Sequence, residues 1–491
     1  MLDIPPATAG FDVLGAESAP LPWIEVAPDA PYFVTDRGDD WTPIGQNDAI
    51  AWSELSDLLG RSDVGRVERH LRWLRESGVT CLRLMLDYCE DETFQLERPA
   101  GTFRPEMVRL WDDLIGLCER LGLRLLLTPY DTFFAWNNWA AHPYNQANGG
   151  PCADRTRLLT CPETRALIKA RLAFATGRWG GSGVVFAWDL WNEIHPVQGE
   201  DRPGCFEDFI ADVGPFLRQL ENRLHGRAHL QTLSVFGPEL GWKPWLREPI
   251  FRSPLLDFAS VHLYEEGTID FPLETVAPAL ATGRLIRDAL AEIHDTRPLL
   301  DTEHGPIHTF KDHGRTLPDA FDDEYFRHMQ WAHFASGAAG GGMRWPNRDP
   351  HVLTPGMRQA QRALAGFLPF IDWRRFHRRN LHGSIPQRDG VAVLACGDEH
   401  QAVIWLLRAD ALSEGGRICL SAAARRLVVE VPGLAPGKYR ATYWDTARGC
   451  VLAEDRIDHP GAALALRPPA FIADLAIAIR PTGPNPVPAS A

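Results

Sequence analysis

From about residue 40 to residue 370, short runs of nearly unbroken apolar residues alternate with longer amphipathic stretches. The runs are TPIGQN (42–47), VTCLRLML (79–86), LRLLLTPY (123–130), VVFAWDLWNE (184–193), LQTLSVFG (230–237), DFASVHLY (257–264), RPLLDTEHG (297–305) and AGGGMRW (339–345). Each has the length and continuity of a strand buried on both faces. Helix patterns at 64–77, 105–121 and 162–176 lie between them, closed by Gly78, Gly122 and Gly177. Two of these open on Pro105 and Pro162, and proline at a helix start with glycine past its end is the usual asymmetry. Eight such runs alternating with helices predict an α/β architecture, a closed (β/α)8 TIM barrel over 41–373. An open doubly wound sheet would carry a Gly-rich phosphate loop after an early strand. GGSG at 180–183 precedes its strand instead.

Beyond Trp373 the pattern changes. Residues 374–389 are basic and poor in apolar side chains, and read as a linker. Alternating runs such as GVAVLAC, HQAVIWLLRA and GKYRATYWDT then follow, separated by turns at Gly397–Asp398, Gly415–Gly416 and Pro436–Gly437. They predict a C-terminal antiparallel β-sandwich over 390–480. Trp405 and Trp444 read as its core, and the domain as a brace for the barrel or a carbohydrate binder. The proline-rich tail, 481–491, predicts disorder. In the N-terminal segment, 1–40, PYFVTD suggests a β-hairpin that closes the bottom of the barrel or joins the sandwich.

Composition narrows the partners. A formal net charge of -14 argues against nucleic acid or an anionic membrane. No apolar run reaches the roughly 18 residues of a membrane span. The first residues lack a secretory signal pattern, so a cytoplasmic location is expected unless a signal was removed. The 9 cysteines form no Cys-x-x-Cys pair, and Cys152 and Cys161 flank one loop that oxidation would close. His304, His308 and His313 follow one another closely but show no paired i, i+4 helix spacing with a glutamate base. No metal or other cofactor is expected.

The chemistry lies at the ends of the runs, where a barrel carries its active site. Run two holds Arg83, run four ends in Asn192 and Glu193, and run six in His262 and Tyr264. Run seven ends in Glu303, and run eight in Arg344 and Trp345. A strand end needs no carboxylate for folding, and burying one unpaired costs several kcal/mol. Carboxylates on strands four and seven face each other across the mouth, which suits glycosidic bond cleavage. One must hold a proton and the other must be ionised, and Arg83 beside one would keep that one ionised.

This ordered set resembles the glycoside hydrolases of clan A, with family 5, the cellulase and mannanase-like group, the nearest look. The resemblance covers about residues 30–373. It implies a retaining hydrolase of β-linked glycosides, with Glu193 as acid/base and Glu303 as nucleophile. It further implies that Asn192 binds the 2-hydroxyl, that Arg83 and Tyr264 hydrogen-bond Glu303, that His262 lines the site and that Trp345 floors it. Strand three departs from the family pattern: TPYDTFFAWNNW replaces the common histidine. Asp131, Trp136 and Asn137 in this stretch suggest a sugar-binding wall and a pocket for short oligosaccharides or a glycoside. A transglycosylase using the same intermediate, or a catalytically silent carbohydrate-binding protein, are the alternatives.

Overall fold

The computed structural model describes residues 20–88, 92–307 and 316–483. His308, His313 and most of the proline-rich tail lie outside the described residues.

Eight parallel strands form the barrel. They are β4 (Gly45–Asn47), β5 (Cys81–Met85), β6 (Arg124–Thr128), β7 (Val185–Asp189), β8 (Leu230–Thr232), β9 (Ala259–Leu263), β10 (Leu299–His304) and β11 (Met343–Arg344). Each lies within one of the eight apolar runs. Their order is β8-β7-β6-β5-β4-β11-β10-β9. The seam between β8 and β9 closes through His262 N–H to Val235 O at 2.9 Å and Gly237 N–H to His262 O at 2.8 Å. Gly237 is required there, because a Cβ would sit 2.6 Å from the His262 carbonyl oxygen. All residues of β5, β6, β7 and β9 are buried, as continuous apolarity demands.

The helices Val64–Glu76 and Pro105–Leu121 end as predicted, the second on a left-handed Gly122. The third, Pro162–Trp179, runs through Gly177. Trp179 supplies the reason: its ring meets Phe174 at 5.6 Å and Trp111 at 5.9 Å, and its indole N–H bonds Asp112 at 3.0 Å. Burying that ring outweighs the small helix penalty of one glycine.

At the barrel's N-terminal end, β1 (Ile24–Val26), β2 (Phe33–Thr35) and β3 (Asp40–Trp41) form a small antiparallel sheet. Phe33 meets Phe186 at 5.1 Å and Phe258 at 5.5 Å, both edge-on. It shares a buried cluster with Cys81, Leu126, Leu300 and Met343 of the barrel strands, and so plugs that end.

The C-terminal region carries a six-stranded antiparallel sheet. Its strands are β12 (Arg379–Asn380), β13 (Val391–Gly397), β14 (Ala402–Arg408), β16 (Gly437–Asp445), β17 (Cys450–His459) and β19 (Asp474–Pro481). A second layer pairs β15 (Val429–Val431) with β18 (Leu464–Leu466), completing the sandwich. The segment read as a linker contains β12, which pairs with β13 and is thus built into the sheet. One sheet face packs on the barrel helices Asp319–Ala335 and Pro355–Phe367. Trp405 lies 5.7 Å from His328, Trp444 lies 6.3 Å from Phe367, and Arg327 bonds Asp474 at 3.0 Å. Trp405 and Trp444 are both buried there, as core.

Cys152 and Cys161 are free thiols; Cys152 bonds the Thr164 hydroxyl at 2.9 Å, and Cys161 donates to Glu163 at 3.2 Å. Among the described residues, no helix is long and apolar enough to cross a membrane.

Candidate active site

Arg83 stands at the centre of the barrel mouth, 1% exposed. Its Nη1 donates to Asn47 Oδ1 at 2.9 Å and Glu303 Oε2 at 3.2 Å. Its Nη2 donates to Asp189 Oδ2 at 2.8 Å and Asn192 Oδ1 at 2.5 Å. A buried guanidinium is tolerated when its charge and both terminal nitrogens are met in this way. Asn192 is fixed from both ends, since its Nδ2 donates to Asp131 Oδ1 at 2.6 Å. Arginine only donates and an ionised carboxylate only accepts, so the amide has one orientation. Asp131 also accepts from Phe134 N–H at 3.0 Å and caps the helix Thr132–Asn137.

Glu193 lies four residues past the end of β7, with a left-handed φ of 46°. Ser234 Oγ accepts its N–H at 3.1 Å and the Thr132 hydroxyl donates to its carbonyl at 2.6 Å, holding that turn. Its Oε1 bonds His262 Nδ1 at 2.7 Å, and His262 Nε2 meets Thr302 Oγ1 at 3.1 Å. Glu303, next to last in β10, comes in from the opposite side and accepts the Tyr264 hydroxyl at 3.0 Å. Ligand atoms of Glu193, His262 and Glu303 all lie within 4.8 Å of one another. The two carboxyls are 5% and 8% exposed.

Burial pushes both acids up. Glu303 reaches about 7, because the Arg83 charge and the Tyr264 hydrogen bond draw it back down. Glu193 is pushed well above the usual carboxylate range, by burial first and then by the facing charges of Glu303 and Asp131. Arg83 therefore moderates Glu303 without restoring an ordinary carboxylate. Glu193 is thus pushed up further than Glu303, which Arg83 and Tyr264 partly hold down. Burial and the Arg83 charge hold His262 well below its usual value, so it is a neutral imidazole.

Trp345 lies at the end of β11, 7% exposed, edge-on to Trp52 at 5.3 Å. Trp136 lies edge-on to His195 at 4.6 Å, and His195 Nε2 meets Glu239 at 3.3 Å. Asn137 is exposed at the end of its short helix, and none of the described hydrogen bonds joins it to the cluster. Asn47, Ser234, Thr132 and Thr302 belong to the cluster without any sequence signal beyond a polar residue at the end of a run. Asp189 is the fully buried ion partner of Arg83, and Asp87 pairs with Arg171. Glu193, His262 and Glu303 have the ligand types for a divalent cation, but Arg83 and Tyr264 already bond one carboxylate and His262 the other.

No family profile and no curated protein matches the chain by sequence. Its structural neighbours are glycoside hydrolases of clan A. One, described as a glycoside hydrolase, is 13% identical with a TM-score of 0.61, over 94% of this chain and 98% of the other. A family 5 glycoside hydrolase from Bacteroides vulgatus is 12% identical with a TM-score of 0.60, over 94% of this chain and 95% of that one. A family 5 mannosidase from Rhizomucor miehei, solved with mannosyl-fructose, is 14% identical with a TM-score of 0.50, over 71% and 97%. At such identities the likeness establishes the fold.

Proposed function

We propose that the protein is a retaining glycoside hydrolase acting on a short β-linked oligosaccharide or glycoside. The observation that carries this reading is the pair of nearly buried acids, Glu193 and Glu303, with carboxylate oxygens within 4.8 Å. Retaining enzymes hold their two carboxyls about 5–5.5 Å apart, whereas inverting ones leave room for a water at roughly 6.5–9.5 Å.

In the first step Glu303 attacks the anomeric carbon while Glu193 gives its proton to the departing oxygen. The order of the two acidities suits these roles, since Glu303 ionises while Glu193 stays protonated. In the second step Glu193, now a carboxylate, takes a proton from water, whose oxygen replaces Glu303 on the sugar. Asn192, fixed by Arg83 and Asp131, presents its amide to the 2-hydroxyl beside the reacting carbon. Trp345 offers the sugar an apolar face, and Trp136 with His195 borders the leaving group.

The test uses aryl β-glycosides of graded leaving-group acidity. Glu303→Gln is expected to abolish turnover in a folded protein. Glu193→Ala should lose roughly 10²–10⁴-fold on poor leaving groups, much less on activated ones, with partial rescue by azide. Near-normal turnover in Glu303→Gln, or equal losses without rescue in Glu193→Ala, defeats the assignment.

A further inference from the structure

The nucleophile strand is irregular where it matters. In the pairing of β10 with β9, Asp301 faces Val261 and Glu303 faces His262, so Thr302 is an extra residue. This is a β-bulge, a device that re-aims side chains at the cost of ladder hydrogen bonds. In a regular strand neighbours point to opposite faces. Here Thr302 bonds His262 Nε2 and Ser260 Oγ, while the next residue, Glu303, bonds Arg83 and Tyr264. Two consecutive residues thus serve the barrel mouth.

Asp301 points the other way, into the helix layer, and is 1% exposed. One of its oxygens, Oδ1, accepts the N–H groups of Leu263 at 3.2 Å and Glu303 at 3.3 Å, the donors on either side of the bulge. The other, Oδ2, meets His333 Nε2 at 2.6 Å. His333 lies on the helix Asp319–Ala335, and its Nδ1 must donate to the Met329 carbonyl at 2.6 Å. One proton therefore sits between Asp301 and His333, and the pair carries no net charge beneath the nucleophile.

We propose that Asp301, clamped by His333, is a positioning residue that holds the bulge at Thr302 and thereby aims Glu303 directly and Glu193 through Thr302 and His262. This rests on the hydrolase reading above. The groups facing Glu303 are Arg83 from β5, Asp131 and Glu193 from the loops after β6 and β7, His262 and Tyr264 from β9 and its end, and Asp301 from its own strand. His333 faces Asp301 and, at 4.8 Å between rings, His304. Removing the histidine takes away the group that draws the buried Asp301 down, so its carboxyl keeps a proton and the clamp on the bulge is lost.

The experiment measures kcat and KM against pH on 4-nitrophenyl β-glycosides for wild type, Asp301→Ala, Asp301→Asn and His333→Gln. Asp301→Ala orphans both N–H groups and should lower kcat about 10²-fold with KM within about threefold, the scale of a small misplacement of the nucleophile. Asp301→Asn keeps the Oδ1 acceptor and should stay within about tenfold of wild type. His333→Gln loosens the clamp and should lower kcat about tenfold with KM within about threefold. A folded Asp301→Ala with kcat within threefold of wild type overturns the proposal, as does Asp301→Asn losing as much as Asp301→Ala. If Asp301→Ala does not fold, a folded His333→Gln with kcat equal to wild type overturns it. A wild type silent on every β-glycoside would instead defeat the hydrolase reading itself.

Discussion

Replacing Tyr264 by phenylalanine removes one hydrogen bond and little else. The ring is 4% exposed, packs 5.4 Å from Phe236, and keeps that packing as phenylalanine. What is lost is the hydroxyl that donates to Glu303 Oε1 at 3.0 Å. A hydrogen bond to a charged acceptor contributes roughly 1.5–3 kcal/mol, or about 1–2 pH units in the acidity of that acceptor. The bond favours the carboxylate, so without it Glu303 rises above its value of about 7. In the proposed mechanism attack needs the carboxylate, so kcat/KM should climb as pH passes through the acidity of Glu303. The acid limb should therefore move up by about 1–2 pH units, and kcat/KM at a pH well below the limb should fall roughly 10–100-fold. On the plateau, before Glu193 loses its proton, the loss should be small. The assay is kcat/KM against pH on an activated aryl β-glycoside. A uniform loss at all pH values, or a limb that stays put or moves down, refutes the reasoning.

Two further outcomes follow from the same structure. The folded protein holds the Glu303 proton to about 7, against roughly 4.3 in an unfolded chain, so its stabilising effect is complete below about pH 4 and fades as pH rises to 7. Glu303→Gln should remove this loss and gain roughly 3 kcal/mol over wild type between pH 4 and pH 8, read from denaturant midpoints; a constant difference across that range contradicts it. Phe33→Ala empties the plug of the barrel and should cost about 3–5 kcal/mol with kcat/KM at 25 °C unchanged; a cost below about 1 kcal/mol means Phe33 does not seal that end.

The barrel was legible because its signal is local. A strand buried on both faces must be largely apolar, and that requirement is written in runs such as CLRLM and VFAWD whatever they pair with. The polar residues ending those runs stood out against the same background, which is why Arg83, Asn192, Glu193, His262, Tyr264, Glu303 and Trp345 were visible. Asn47 and Ser234 were not, since a single polar residue at a run's end has several structural uses. Asp189 was not visible either, because its partner lies 106 positions earlier in the chain. The end of the helix at Trp179 was misjudged for a similar reason: the ring's packing on Trp111 overrides a local stop at Gly177.

The sequence by itself therefore determined which segments become barrel strands and which side chains can carry chemistry, because periodicity and burial act over a few residues. The tertiary structure alone decided how those side chains meet. Ring closure brings Glu193 and Glu303 within 4.8 Å, Arg83 divides its charge between Glu303 and Asp189, and the bulge at Thr302 turns two neighbours to one face. The acidities that separate the two carboxyls arise only there. Desolvation and Coulomb energy depend on what surrounds a group in space, and those surroundings come from five different strands and the loops that follow them.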